Sequence, residues 1–104
     1  MLYSVTYCTF NRHTGKIKTY FKVGTCKNRR YEARMKEYKN YILDIERIGT
    51  KGGSYKTEKR MHAKLLRLGY KKARDDENTE WFIIPYNVTP ETVSAQLGFT
   101  PCKG

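Results

Sequence analysis

Two runs rich in aromatic and β-branched residues, LYSVTYCTF and IKTYFKVG, flank the polar stretch NRHTGK, and no other feature constrains the fold as tightly. Such residues suit a pleated, half-buried strand, and Gly15 supplies the conformational freedom that a chain reversal needs. The pattern predicts antiparallel strands over 2–10 and 17–24. With Thr14 and Gly15 at the tip, Tyr7 faces Lys22 and Thr9 faces Tyr20, and the two-residue period puts Tyr3 and Val5 on that same side. A slip of one residue would carry the whole set to the other face.

After Gly24 the pattern turns helical. Asn28 is a candidate cap, and Tyr31, Met35 and Tyr38 recur at three- and four-residue spacing through about residue 40, with Arg30 and Arg34 sharing a face. YILDIERIG reads as a third strand. TKGGS is a break with Ser54 placed to cap a helix over about 55–68, whose core stripe is Met61, Leu65 and Leu68. GYKKARDDENT is a polar loop, EWFIIP a short buried strand, and TPETVSAQLG a small helix with Thr89 as cap, Pro90 at the first position and Gly98 as stop. The order ββαβαβα is that of an α+β domain, with a small antiparallel or mixed sheet of three to four strands and flanking helices.

At 104 residues the chain fits one domain, 1–104, with a core over about 2–84 and a C-terminal extension over 85–104. Its charge is uneven: residues 1–74 carry 20 Lys/Arg against 5 Asp/Glu, and the remainder offsets part of that surplus. A field of this sign draws polyanions, of which nucleic acid is the commonest large one in a cell, whereas a membrane-surface helix of the Lys/Trp/Leu type is not evident at either terminus. Cys8, Cys26 and Cys102 are odd in number and lack metal-ligand spacing, which argues against a disulfide framework or a structural zinc site and for a reducing, intracellular setting. MLYSVTYCTF is too short and polar for a signal peptide, and no run approaches membrane-spanning length, so the expectation is a soluble protein without a membrane partner.

Two places could carry chemistry. Lys22, on the Tyr3 and Tyr7 side of the hairpin, either favours a phenolate there, which would be a usable general base, or is one more surface lysine on an open face. Glu58 is the one acid between Glu46 and Asp75, four residues before His62 and amid Lys56, Lys59, Arg60 and Lys64. A carboxylate in such surroundings can hold a hard divalent cation together with waters and a substrate phosphate, or it can simply pair with its helical neighbours.

These residues together resemble the GIY-YIG endonucleases, in particular a compact, often phage-encoded branch in which Lys-Ile-Gly replaces Tyr-Ile-Gly. MLY places Tyr3 at the family's first tyrosine, with Met1 and Leu2 instead of Gly-Ile. KVG puts Lys22 where most members have the second tyrosine. RMKEY supplies Arg34 and Tyr38 at the family's spacing, although Gly24 to Arg34 is about two residues longer than usual, which keeps Arg30 as the alternative. TEKRMHAKLLRLGY followed by ENTEWFII is similar to the branch's Glu-x-x-x-His helix and Glu-Trp-Phe strand, so that Glu58 matches the metal-binding glutamate and His62 and Glu80 match less defined positions.

The resemblance implies a DNA endonuclease that hydrolyses phosphodiesters with one Mg²⁺ or Mn²⁺ per active site, held by Glu58. It further implies Tyr3, near Lys22, as acceptor of the proton from water, Arg34 as the phosphate contact and Tyr38 as its orienting neighbour, with Tyr7, Arg30, His62 and Glu80 as further site candidates. Lys27, Arg29, Arg30, Lys56, Lys59 and Arg60 would track the DNA backbone, giving little sequence preference or one set by loops such as 70–79. Tyr20, Tyr31, Tyr41, Tyr55 and Tyr70 could stack on unpaired bases, or half-bury in the core. Cutting both strands from one site calls for two visits or a homodimer, and a phage-encoded member would work in the host cytoplasm. Two alternatives stay open: a nucleic-acid-binding module on this scaffold without hydrolysis, and a small inhibitor that binds an acidic host protein.

Overall fold

The computed structural model describes residues 1–73, 81–85 and 87–102; Glu80 and most of the loop expected over 70–79 lie outside them. The first two strands form where the alternation places them, as β1 (Leu2–Phe10) and β2 (Ile17–Thr25). Their register differs from expectation, because Val5 opposes Lys22 and Tyr7 opposes Tyr20. The reason lies in the turn. Residues 11–16 make a six-residue loop in which Asn11 N–H donates to Lys16 O (2.9 Å) and Gly15 N–H to Asn11 O (2.8 Å), with Gly15 at φ 68°. Each partner is displaced by two residues, an even number, so Tyr3, Val5, Tyr7, Tyr20 and Lys22 still share one face.

A 3₁₀ turn at Asn28–Arg30 leads into α1 (Tyr31–Tyr41), so the helix starts later than expected, with Arg30 at its cap position and no capping role for Asn28. Then follow β3 (Glu46–Lys51), α2 (Tyr55–Arg67), the short β4 (Lys71–Lys72), β5 (Trp81–Ile84), α3 (Pro90–Gln96) and β6 (Thr100–Pro101). Ser54 and Thr57 form the capping box of α2, with Ser54 N–H donating to Thr57 Oγ1 at 3.3 Å. Thr89 caps α3 by accepting from Thr92 N–H (3.2 Å), with Pro90 at the first helical position.

Among the described residues the sheet is antiparallel and six-stranded, in the order β4-β5-β2-β1-β3-β6. It is wider than expected because two-residue strands at both edges carry no alternation that a sequence could display. Against β3, β1 pairs Ser4 with Gly49 and Val5 with Arg47, which leaves Ile48 as a bulge.

The sheet separates two clusters. On one side, Leu2, Phe21, Val23, Phe82 and Ile84 pack with Met61 and Leu65 of α2 and with Val93, Leu97 and Phe99 of the C-terminal region. The expected extension over 85–104 therefore supplies part of the core, since Val93, Leu97 and Phe99 fill the space beneath the sheet and β6 pairs with β3. Leu68 does not complete the α2 stripe. It is 43% exposed, and Tyr70, after the helix has ended, packs on this cluster instead. On the other side, Tyr3, Val5 and Trp81 pack with Met35 and Tyr38 of α1. Among the described residues no helix is long and apolar enough to cross a membrane.

Candidate active site

The end of the hairpin distant from its turn gathers most of the singled-out residues. Tyr3 pairs with Gly24 across the β1–β2 ladder, and its ring lies over that glycine: a Cβ there would come within 2.3 Å of Tyr3 Cζ and Oη. Only a residue without a side chain permits this approach. The Tyr3 hydroxyl is hydrogen-bonded to that of Tyr38 on α1, at 2.8 Å. Lys22 is 9% exposed, and its ammonium lies 5.5 Å from the centroid of the Tyr38 ring and 5.7 Å from that of Trp81, close enough for cation–π attraction. The open-face alternative for Lys22 is thereby set aside.

Arg34, one turn before Tyr38, acts electrostatically on Tyr3 and on Tyr38. It also pairs with Glu37 (3.6 Å), as does Arg30 (3.8 Å), whose side chain is more exposed. Of the two arginines, Arg34 is the one beside the tyrosine pair.

The phenols are not ionised by these cations. Burial pushes Tyr3 above the ordinary phenol range, and the hydrogen bond from Tyr38 and the charge of Arg34 only partly offset it. Tyr38 is raised for the same reason, against the pull of Lys22. The expected phenolate near Lys22 is thus corrected to a neutral pair, because desolvation of an almost wholly enclosed hydroxyl outweighs neighbouring charge. Tyr7 is raised as well, by burial and by Tyr20, on which it stacks at 4.7 Å while meeting Trp81 edge-on.

Glu58 lies on the opposite side of the sheet but at the same end. Its Oε2 accepts a hydrogen bond from Thr25, the residue after Gly24, and Oε1 is 3.8 Å from His62 Nε2. His62 is buried, and Nε2 lies 3.1 Å from Val23 O. A carbonyl can only accept, so this nitrogen carries the proton and is committed to the backbone. Among the described residues no three His, Cys, Asp or Glu side chains converge as a ligand set. Glu58 is nonetheless suited to a hard cation whose shell is completed by water and phosphate, because it is one partly accessible carboxylate with Oε1 outside hydrogen-bonding distance of the imidazole.

Lys27, Arg29 and Arg30 are exposed directly after β2, and Lys56, Lys59 and Arg60 are exposed on α2 around Glu58, so both basic groups flank this end of the sheet. Of the tyrosines proposed for base stacking, Tyr41 and Tyr55 are exposed, whereas Tyr20, Tyr31 and Tyr70 pack against the two clusters. Sequence reasoning missed the partners that hold the site residues: Thr25 for Glu58, Trp81 for Lys22, and Gly24 beneath Tyr3. Gly24 and Thr25 directly follow Lys22 and Val23, and the alternation already assigned them opposite faces.

No curated protein and no solved structure matches the chain. A family model, the T5orf172 domain, matches residues 4–96 and so takes in the hairpin from Ser4 onward, the three helices of the described residues and β5, with Tyr3 just before its start. The chain belongs to the T5orf172 domain family, a phage-associated, nuclease-like type of domain.

Proposed function

We propose that this domain is a divalent-metal-dependent DNA endonuclease of the GIY-YIG kind. The observation that carries the reading is the meeting at Gly24 and Thr25: a hydroxyl pair with Lys22 and Arg34 on one side, and a carboxylate held by Thr25 on the other. Membership of a nuclease-like, phage-associated family supports it. In the reaction, Arg34 contacts the scissile phosphate with its guanidinium as charge builds on the phosphoryl oxygens. The minor phenolate form of Tyr3 accepts the proton of the attacking water and returns to the neutral phenol; before that transfer Arg34 offsets the charge on the oxygen and Tyr38 donates a hydrogen bond to it. Lys22 stabilises the Tyr38 ring and fixes its place. Glu58 would hold Mg²⁺ or Mn²⁺; when bound, such an ion polarises the phosphoryl group and offsets charge on the departing 3′ oxygen. Lys27, Arg29, Lys56, Lys59 and Arg60 bind the backbone on either side. One site cuts one strand, so a double-strand break takes two visits or two molecules.

Plasmid nicking by the wild type and by Glu58→Ala and Arg34→Ala, with and without Mg²⁺ or Mn²⁺, tests this. Arg34→Ala should lose about 100- to 1000-fold in rate, and Glu58→Ala should lose activity together with its metal dependence. Equal nicking by all three proteins, or by none, overturns the assignment. The enclosure of Tyr3 and Tyr38 (1% and 2% exposed) favours a second reading, a DNA-binding module on this scaffold that does not hydrolyse. That reading predicts binding indifferent to Mg²⁺ and to Glu58→Ala.

A further inference from the structure

The turn end of the β1–β2 hairpin stands apart from everything described above. β3 pairs with β1 only as far as Thr6, and β5 pairs with β2 only from Thr19 onward. Beyond those points the hairpin has no neighbouring strand among the described residues. Every residue from 8 to 18 is exposed, including Phe10 (64%) and Ile17 (57%), which oppose each other as the last pair of the ladder. Two exposed apolar side chains at the tip of an otherwise polar ribbon add nothing to the core.

Its charge is one-sided. The first acidic residue of the chain is Glu32, while Arg12, Lys16 and Lys18 lie on the ribbon, and among the described residues none of the three takes part in an ion pair. The turn is also well fixed. His13 N–H and Thr14 N–H donate to Asn11 Oδ1 (2.9 and 3.3 Å), and Lys16 N–H donates to Thr14 Oγ1 (3.3 Å). A structured tip pays little ordering entropy on binding.

We propose that this ribbon is a finger that enters the major groove of duplex DNA, separately from the candidate active end. Two strands about 4.8 Å apart with their side chains fit a groove about 12 Å wide, whereas the minor groove at about 6 Å is too narrow. Arg12, Lys16 and Lys18 contact phosphates on the groove walls, and Phe10 and Ile17 meet thymine methyl groups, the apolar feature that the major groove displays. At about 3.3 Å per residue, Phe10 is roughly 23 Å along β1 from Tyr3. The finger therefore supplies affinity and a thymine preference without touching the chemistry. The proposal rests on the nucleic-acid reading but not on hydrolysis.

The test is duplex binding by fluorescence anisotropy in metal-free buffer across a salt series. The proteins are the wild type, Arg12→Ala/Lys16→Ala/Lys18→Ala, and the charge-matched control Lys36→Ala/Lys39→Ala/Arg67→Ala. The finger variant should lower the slope of log K against log salt by about 2.7, at about 0.9 per phosphate contact, and the control by much less. Replacing thymine by uracil should weaken wild-type binding about fourfold for each methyl group buried, and should leave Phe10→Ser/Ile17→Thr unaffected. Equal slopes for the finger variant and the wild type, an equal loss in the control, or indifference of the wild type to uracil each overturn the finger. No duplex binding by the wild type overturns the finger and the nucleic-acid reading together. Finger-dependent binding without nicking sinks the nuclease and leaves the finger standing.

Discussion

Adjacent residues of β1 point to opposite sides of the sheet, and each makes a buried hydroxyl–hydroxyl hydrogen bond: Tyr3 with Tyr38 at 2.8 Å, Ser4 with Ser94 at 2.9 Å. The bonds are alike in length and burial, yet their surroundings differ. The serine pair sits between sheet and α3, near Val93, Leu97 and Phe99, with no described ion pair or cation–π contact reaching it. The tyrosine pair has the charge of Arg34 acting on it and Lys22 over one ring. Satisfied polar groups in a core need only each other, whereas groups intended for proton chemistry need nearby charge to make a second protonation state accessible.

The largest expected consequence is in activity. Under the nuclease reading, Tyr3→Phe should cost about 100- to 10,000-fold in nicking rate, the usual range for a positioned general base, while Ser4→Ala should leave the rate near wild type. The pH profile sharpens this contrast. Because Tyr3 is raised above the phenol range, its phenolate is a minor species at neutral pH, so the wild-type log rate should climb with a slope near one between about pH 7 and 9. A flat profile would instead make Tyr3 a neutral group that positions the water.

Alkaline unfolding should also come from the tyrosine side. Tyr3, Tyr7, Tyr31 and Tyr38 are all raised, Tyr31 to about 12, chiefly by burial. A phenol raised in the folded state stabilises the protein fully below its unfolded value near 10, and that contribution is lost as pH climbs through the folded value. Chemical-denaturation midpoints should therefore hold to about pH 10 and then fall through pH 12, with the fall reduced in Tyr38→Phe. A drop beginning below pH 9 would point to a different group.

The same contrast explains what the sequence disclosed. Alternation placed both hairpin strands and put Lys22 on the tyrosine side, because parity survives a two-residue change of register; the register itself depended on the six-residue turn closed by backbone bonds of Asn11 and supported by its side chain, which no periodicity reveals. The starts of α2 and α3 were legible from Ser54, Thr89 and Pro90, whose roles are local. The start of α1 was not, since a 3₁₀ turn satisfied the backbone ahead of it without Asn28 as a cap. Candidate site residues could be named from type and spacing, but the protonation of Tyr3 could not. It depends on how completely α1 covers the ring, which is a property of packing.

The smallest effect isolates the serine pair. Ser94→Ala removes one partner and leaves Ser4 Oγ buried without its hydrogen bond, which costs about 1–3 kcal/mol. Ser4→Ala should cost a similar amount for the mirrored reason. The double variant Ser4→Ala/Ser94→Ala leaves no orphan and adds little void, so its stability should return to near wild type. Denaturant melts of the four proteins give the coupling directly, and a double variant as unstable as the sum of the singles would show that these hydroxyls serve partners beyond each other. The parallel cycle on Tyr3 and Tyr38 should not recover in this way. Each phenylalanine there leaves the ring in place, but the buried ammonium of Lys22 loses the Tyr38 oxygen beside it and keeps that cost in the double variant, whereas Arg34 retains Glu37 and water.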